Sequence, residues 1–295
     1  MGKKKSKKPV PIKSSSAMKS RTLARKITTK FHQLTSKKHA LKESDSEAIS
    51  RIEEELIELG GRDAYQKASQ LNTSIFSTSK WVWGKLSLTG KAFGRKVNAS
   101  KPKERTPSKV LEIGAINTQL LDFTAKGLCE TRAIDINSQS PRIEEANFLS
   151  ADFEPGAQDA IVCSMVLNCV PNADLRGEMI KKIDRLMNVR GDVFVVVPLL
   201  CLTQSPHINK ESYETIWKNL GYELREVRVT PKLHMIWGVK GKGGGNGDAA
   251  EEGDWRVGKG KMGGRNTFGI NFSKDKESGD TKKEKEKKMK KSAKK

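Results

Sequence analysis

Residues 109–117 read KVLEIGAIN, and RAIDI follows at 132–136. Both are short apolar runs. The first runs into Gly114; the second holds Asp135, 21 residues further on. Between them, residues 118–128 group Leu120, Leu121, Thr124 and Leu128 on one side of a helix. Strand, helix, strand at this spacing predicts a parallel pair, because parallel neighbours need a crossover of a dozen residues or more. The alternation continues outward, with a short helix at 141–146 and strands at 147–150 and 159–166 (DAIVCSMV). A helix fits 174–187, stopped by Gly191. Residues 192–200 (DVFVVVPLL) form the most apolar strand, suited to a sheet covered on both faces. Residues 209–220 read as a helix, 222–229 and 233–239 as strands. The fold class is α/β, a Rossmann-like sheet with helices on both faces. Residues 241–264 hold ten glycines and no core pattern. TFGINF at 267–272 alternates again and reads as a last strand beyond a glycine-rich insertion, so the sheet domain spans 109–272.

Upstream, residues 44–83 read as a helical extension. Ser44 to Glu47 has capping-box spacing. Ile49, Ile52, Leu56 and Leu59 form an apolar stripe, and Gly60-Gly61 ends that helix. A second helix over 62–71 groups Tyr65, Ala68 and Leu71. The pair is a hairpin expected to pack on the main domain. Residues 84–108, rich in Gly, Lys, Ser and Pro, read as a basic linker. Residues 1–43 read as a disordered basic arm, within which 18–34 has a helical pattern, and 273–295 as a Lys-rich tail.

The length of 295 residues allows one or two domains with a real core. Only 35% of residues are apolar, so part of the chain is expected to stay unfolded. The net charge of +21 is unevenly placed. Residues 1–42 carry 14 Lys/Arg and no acid; residues 273–295 carry 11 Lys and five acids, which leaves +1 for the middle. Within that middle, residues 80–105 hold eight basic side chains against Glu104 alone. A slightly acidic body with three basic appendages attracts polyanions by counterion release. The termini also have the composition of nuclear and nucleolar address signals; the plainer reading is solubilising tails. No apolar run is long enough for a membrane span, and no secretory signal is present, so no membrane partner is expected. Four cysteines without a CxxC pair and four scattered histidines give no disulfide framework and no metal site.

In open α/β sheets ligands sit at the carboxyl ends of the strands. The loop after the first strand lacks the two further glycines that a pyrophosphate needs, which disfavours NAD and FAD. S-adenosylmethionine (SAM) has no phosphate but has a cationic end, a ribose diol and an adenine. Glu112 puts negative charge near the cationic end, and Gly114 lets backbone approach closely. Asp135 is placed to accept both ribose hydroxyls. Asp152, after the third strand, is placed to accept from the adenine amine, with Phe153 as a wall for the ring. Singly, Gly114 reads as a turn and both aspartates as strand-end caps; together at three successive strand ends they read as a SAM site. Ser164 and Asn168, in SMVLNCVPN at 164–172, face the sulfonium side. Asn168 is the candidate catalytic residue, with a turn-capping role as the alternative. Cys163 and Cys169 read as packing residues.

Three segments resemble the fungal nucleolar large-subunit (25S) rRNA adenine-N1 methyltransferases, a family of class I SAM-dependent enzymes. They are GGRDAYQKASQLN at 60–72 with SKWV at 79–82, VLEIGAIN at 110–117 with AIDIN, and SMVLNCVPN. The first segment is the most family-specific. The resemblance spans roughly residues 45–272 and matches Gly114 and Asp135 to cofactor-binding positions. It implies SAM as cofactor, rRNA or a pre-ribosomal particle as partner, a role in ribosome biogenesis and a nucleolar location. Animal relatives are taken as SAM sensors, so a non-catalytic sensor acting through a protein partner is the alternative. For an enzyme, adenine N1 carries a free lone pair and needs no general base. N1 also lies on the Watson–Crick edge, so the target adenine must be unpaired or flipped out.

Overall fold

In the computed structural model, residues 20–41, 45–73, 77–98, 101–138, 140–242 and 267–272 are described. The chain divides into two units, 1–151 and 152–295. The basic termini 1–19 and 273–295 and most of the glycine-rich stretch 241–264 lie outside the described residues.

The first unit opens with α1 (Arg21–Ala40), α2 (Ser46–Glu58) and α3 (Gly61–Thr73). Ser20 starts α1, its hydroxyl accepting from the Leu23 N–H. Ala24 and Ile27 of α1 then bury against Ala68 of α3, with Leu59 and Ala64 beside them. Phe31 stacks on Tyr65 at 4.6 Å between ring centroids. Lys30 and Lys38 of α1 pair with Glu55 and Glu53 of α2 at 3.2 and 2.5 Å. The segment expected to be a disordered arm therefore carries a packed helix over its described part. Ser44, on which the expected capping box rests, lies outside the described residues; Asp45 is the N-cap of α2 and its side chain makes no capping bond.

Next come α4 (Thr78–Leu88), a 3-10 turn at Lys91–Phe93, β1 (Arg95–Asn98) and β2 (Lys101–Thr106). Ser79, Val82 and Leu86 bury one face of α4. β1 and β2 pair antiparallel as a separate two-stranded ribbon. This corrects the linker expected at 84–108. Gly, Lys and Pro mark irregular chain in most contexts. A two-stranded ribbon has only edge strands, where Pro102 breaks no interior ladder and lysines are tolerated.

β3 (Ser108–Ile113), α5 (Gln119–Thr124), β4 (Cys129–Asp135) and β5 (Glu144–Glu145) complete this unit. The seven strands of the main sheet divide between the units. Here they run β5-β4-β3, all parallel. The third strand is thus Glu144–Glu145, within the helix expected at 141–146; no strand forms at 147–150. Pro141 suggested a helix start, but Ile143 is buried and the next two residues pair with Ile134 and Asp135.

The second unit holds β6 (Gln158–Ser164), a 3-10 turn at Leu167–Cys169, α6 (Ala173–Leu186), β7 (Met187–Pro198), α7 (Leu200–Thr203), α8 (Lys210–Asn219), β8 (Tyr222–Val229) and β9 (Leu233–Lys240). Its strands run β6-β7-β9-β8, with β9 antiparallel to both neighbours. Parallel strands linked by helices, closed by an antiparallel hairpin, form a Rossmann-like α/β fold. Val193 to Val197 are buried, as the apolar run implied. Gly191 does not stop α6. That helix ends at Leu186 and β7 starts at once, with an irregularity before Asp192 where Arg190 takes φ 63°.

Residues 267–272 form no strand. Phe268, Ile270 and Phe272 are buried nonetheless. The Asn271 N–H donates to the Ala173 carbonyl at 3.0 Å, and the Ser205 hydroxyl donates to the Phe268 carbonyl. The apolar alternation there reflects docking on the start of α6 rather than sheet pairing.

Candidate functional site

β3 and β4 run in register with Glu112 opposite Ala133 and Ile113 opposite Ile134. Gly114 therefore leaves its strand next to the end of β4, where Asp135 stands. Gly114 takes φ 73°, the left-handed region that a side chain disfavours. The N–H groups of Gly114 and Ala115 both donate to the Ile134 carbonyl, at 2.8 and 2.9 Å. The loop is thereby pinned to its neighbour strand.

Asp135 is buried. Its Oδ1 accepts from the Asn137 N–H at 2.8 Å and from the Gln66 amide at 3.0 Å. Among the described residues nothing donates to Oδ2. Burial raises the Asp135 pKa, opposed by these two donors and by the charge of Arg62. Gln66 also donates to the Asn137 carbonyl. Glu112 is half-buried, but its Oε2 is wholly enclosed and has no hydrogen-bond partner among the described residues. Burial pushes its carboxyl up to about 8, so it is largely protonated at neutral pH. An enclosed carboxyl without a partner suits a cationic group, and an aspartate with one oxygen spare suits a diol. These three residues fit SAM, and the structure brings them together.

The other candidates lie in the second unit. Asp152 is exposed and stands well beyond β5, so it does not end a strand. The Phe153 ring has the Lys182 ammonium over it, 5.3 Å from the centroid. Ser164 ends β6. Met165 follows at φ 61°, its N–H donating to the Val196 carbonyl at 2.8 Å. Asn168 lies in the 3-10 turn. Its amide nitrogen contacts the Cys169 sulfur at 3.5 Å, while its Oδ1 is buried without a partner among the described residues. Asn172, not Asn168, caps α6, accepting from the Leu175 N–H at 2.8 Å. The capping alternative for Asn168 is therefore set aside. Cys163 is buried, and burial pushes its thiol up to about 12, which leaves it unreactive as a thiolate. No group of three or more metal-ligating side chains occurs among the described residues. Among the same residues no helix is long and apolar enough to cross a membrane.

Three residues of note escaped the sequence reading. Gln66 belongs to the family-specific segment, but its reach to Asp135 depends on the fold. The strain at Met165 has no sequence signal. Arg176 does have one, since it falls on the stripe of Met179, Ile180 and Ile183. It is buried, donates to the Leu167 carbonyl at 3.1 Å and the Gly269 carbonyl at 2.9 Å, and lies 4.7 Å above the Phe268 ring. Burial lowers it to about 10, still a cation at neutral pH. It ties the turn that carries Asn168 to residues 267–272.

Residues 50–270 match the family model described as 25S rRNA (adenine(2142)-N(1))-methyltransferase, Bmt2. The chain is 28% identical over 222 residues to the 25S rRNA adenine-N(1) methyltransferase of Schizosaccharomyces pombe, covering 70% of this chain and 77% of the relative. It is 26% identical over 195 residues to the 25S rRNA (adenine(2142)-N(1))-methyltransferase of Saccharomyces cerevisiae, covering 63% of this chain and 53% of the relative. Among solved structures, a SAM-dependent methyltransferase from Archaeoglobus fulgidus aligns with TM-score 0.41 at 12% identity, over 58% of this chain and 99% of the other. The Burkholderia thailandensis 1,6-didemethyltoxoflavin-N1-methyltransferase aligns with TM-score 0.39 at 12% identity, over 46% and 72%.

Proposed function

The chain belongs to the 25S rRNA (adenine(2142)-N(1))-methyltransferase family, and from this we infer how its own residues divide the work. It is a SAM-dependent enzyme that methylates N1 of an adenine in 25S rRNA. One observation carries the reading: the matched span, residues 50–270, takes in every candidate residue. SAM, when bound, supplies a methyl group on a sulfonium cation.

Glu112 and Asp135 would hold the cofactor. The enclosed Glu112 carboxyl gives up its proton when a cation approaches, and the spare Asp135 oxygen accepts from the ribose. Gly114 leaves room for the ligand against the backbone. The orphaned Asn168 Oδ1 is an acceptor in search of a donor, and the exocyclic amine of the target adenine is one. Such a bond would orient the base. No proton has to be removed from N1, so alignment and exclusion of water are the protein's main tasks. Asn168 is then the candidate catalytic residue.

The basic termini support a nuclear and nucleolar location, a pre-ribosomal particle as the working substrate and a part in ribosome biogenesis. A fluorescent fusion that stays out of the nucleolus would count against that placement. The activity is tested by incubating the protein with labelled SAM and deproteinised large-subunit rRNA from cells lacking it. Label on adenine N1 is the expected result. Tight SAM binding without transfer would select the sensor reading. Asn168→Ala should lower transfer at unchanged SAM affinity; full transfer at saturating RNA removes Asn168 from the chemistry.

A further inference from the structure

Two regions of the first unit are rich in lysine and arginine, and their charges have different fates. Lys30 and Lys38 of α1 are matched by glutamates of α2. On the β1–β2 ribbon, Lys96 stands directly opposite Arg105. Like charges in that register destabilise an antiparallel pair. Among the described residues Lys96 has no carboxylate partner. The Arg105 Nη1 donates to the Phe93 and Gly94 carbonyls, both at 3.2 Å. Its Nε and Nη2 have no protein partner among the described residues.

Phe93 itself is 52% exposed, and Leu88 nearby in sequence is 74% exposed. A single exposed phenylalanine is ordinary. This one sits on a rigid base. Gly94 takes φ 81°, and a Cβ there would lie 2.6 Å from both the Thr106 carbonyl oxygen and the Leu128 side chain. A Cβ on Gly127 would lie 2.0 Å from the Ala92 carbonyl oxygen. The Leu128 N–H donates to that same oxygen at 2.8 Å. The turn that carries Phe93 is thus packed backbone to backbone against the entry to β4, and Arg105 ties down two of its carbonyls.

We propose that Phe93, Lys96 and Arg105 form a docking platform for an unpaired RNA strand, with one base stacked on Phe93 and adjacent phosphates on Lys96 and Arg105. A fixed aromatic face beside unmatched cations is what sequence-tolerant single-strand binding requires. A phosphate between Lys96 and Arg105 also relieves their mutual repulsion. Because adenine N1 is reachable only in unpaired RNA, a surface that prefers single strands delivers the right kind of substrate. This rests on the rRNA-methyltransferase reading and adds to it the surface that grips the strand.

The test uses the full chain and a fluorescein-labelled, unpaired adenine-rich oligonucleotide of about 12 nucleotides, within the usual site size, alongside an RNA duplex of equal length. Anisotropy is read across a salt series. Phe93→Ala should weaken single-strand binding about tenfold, the scale of one lost base stack, and leave duplex binding unchanged. Lys96→Gln should reduce the salt slope by about 0.7, the value for one phosphate on a single strand. SAM affinity should be unaltered in both variants, which verifies the fold. Single-strand affinity and salt slopes equal to those of the parent protein would overturn the platform, as would an equal loss on duplex. Displacement by a polyglutamate peptide but not by RNA would assign the surface to an acidic protein instead, and overturn it too. Label transfer to rRNA is measured in parallel: its absence in the parent protein defeats the enzymatic reading, whereas normal transfer with unchanged variant binding defeats only the platform.

Discussion

The loop after β3 and the loop after β6 both begin with a residue in the left-handed region, Gly114 at φ 73° and Met165 at φ 61°. The backbone geometry is nearly the same and the residue choice is opposite. At Gly114 the conformation costs no side-chain strain. At Met165 a side chain is kept at about 1–2 kcal/mol of local strain. The loops also differ in how their polar groups are used. The first is pinned by two N–H groups on one carbonyl. The second carries an amide oxygen, on Asn168, that is buried and unmatched. The first loop spends its polar groups on the neighbouring strand; the second combines a strained residue with an unmatched amide oxygen.

The sharpest way to break this contrast is Gly114→Arg. A long cation would occupy the space beside Glu112 and Asp135, and SAM binding by calorimetry should fall below detection. The fold should survive with a melting temperature lowered by no more than the strain of one left-handed residue, about 1–2 kcal/mol. Unchanged SAM affinity would show that the space at Gly114 serves only the turn.

Asp135→Ala comes next. Losing the spare carboxylate oxygen should weaken SAM by about 1.5–3 kcal/mol, the scale for a hydrogen bond to a charged group. It also frees the Gln66 amide, so a small drop in melting temperature is expected. A large drop with intact affinity would make Asp135 a packing residue.

Glu112→Gln tests the proton. Burial raises the folded-state value to about 8 from 4.5. Between those values the folded protein binds more protons than the unfolded chain, so stability of the ligand-free protein should fall as pH rises through that window. SAM affinity should climb over the upper part of it, as the carboxylate forms against a cation. Both slopes should flatten in Glu112→Gln. An affinity profile that does not change with the substitution would remove Glu112 from the cofactor.

Met165→Gly should have the smallest effect on stability. Relief of strain is offset by added chain freedom of about 0.5–1 kcal/mol, leaving the melting temperature nearly unchanged. Methyl transfer should fall at constant SAM affinity, because a slack loop no longer presents Asn168. Undiminished transfer would mean the strain has no functional use.

Much of this architecture was legible in the sequence. The strands read at 222–229 and 233–239 match β8 and β9 closely, and Glu112, Gly114 and Asp135 fall at neighbouring strand ends because such ends are marked by abrupt loss of apolar pattern. Elements whose stability comes from elsewhere in the chain were not legible. α1 looked like a charged arm because its matching glutamates lie on α2. The β1–β2 ribbon looked like a linker because its composition is that of an edge. β5 is two residues long and exists through Ile134 and Asp135. Asn168 was read with a capping alternative because an asparagine's acceptor can be assigned only when the neighbouring cap, Asn172, is seen to be filled.

The docking of residues 267–272 sets where the chain can be cut. A fragment ending after β9 would retain every described strand and helix of the second unit yet expose the surface under Phe268, Ile270 and Phe272, each worth about 1.5–3 kcal/mol when buried. It would also strand the Arg176 guanidinium, leaving a buried cation with one carbonyl where it had two. Expression boundaries drawn from secondary structure would therefore bare apolar surface, and a fragment ending after β9 should melt at a lower temperature than one that runs through Phe272.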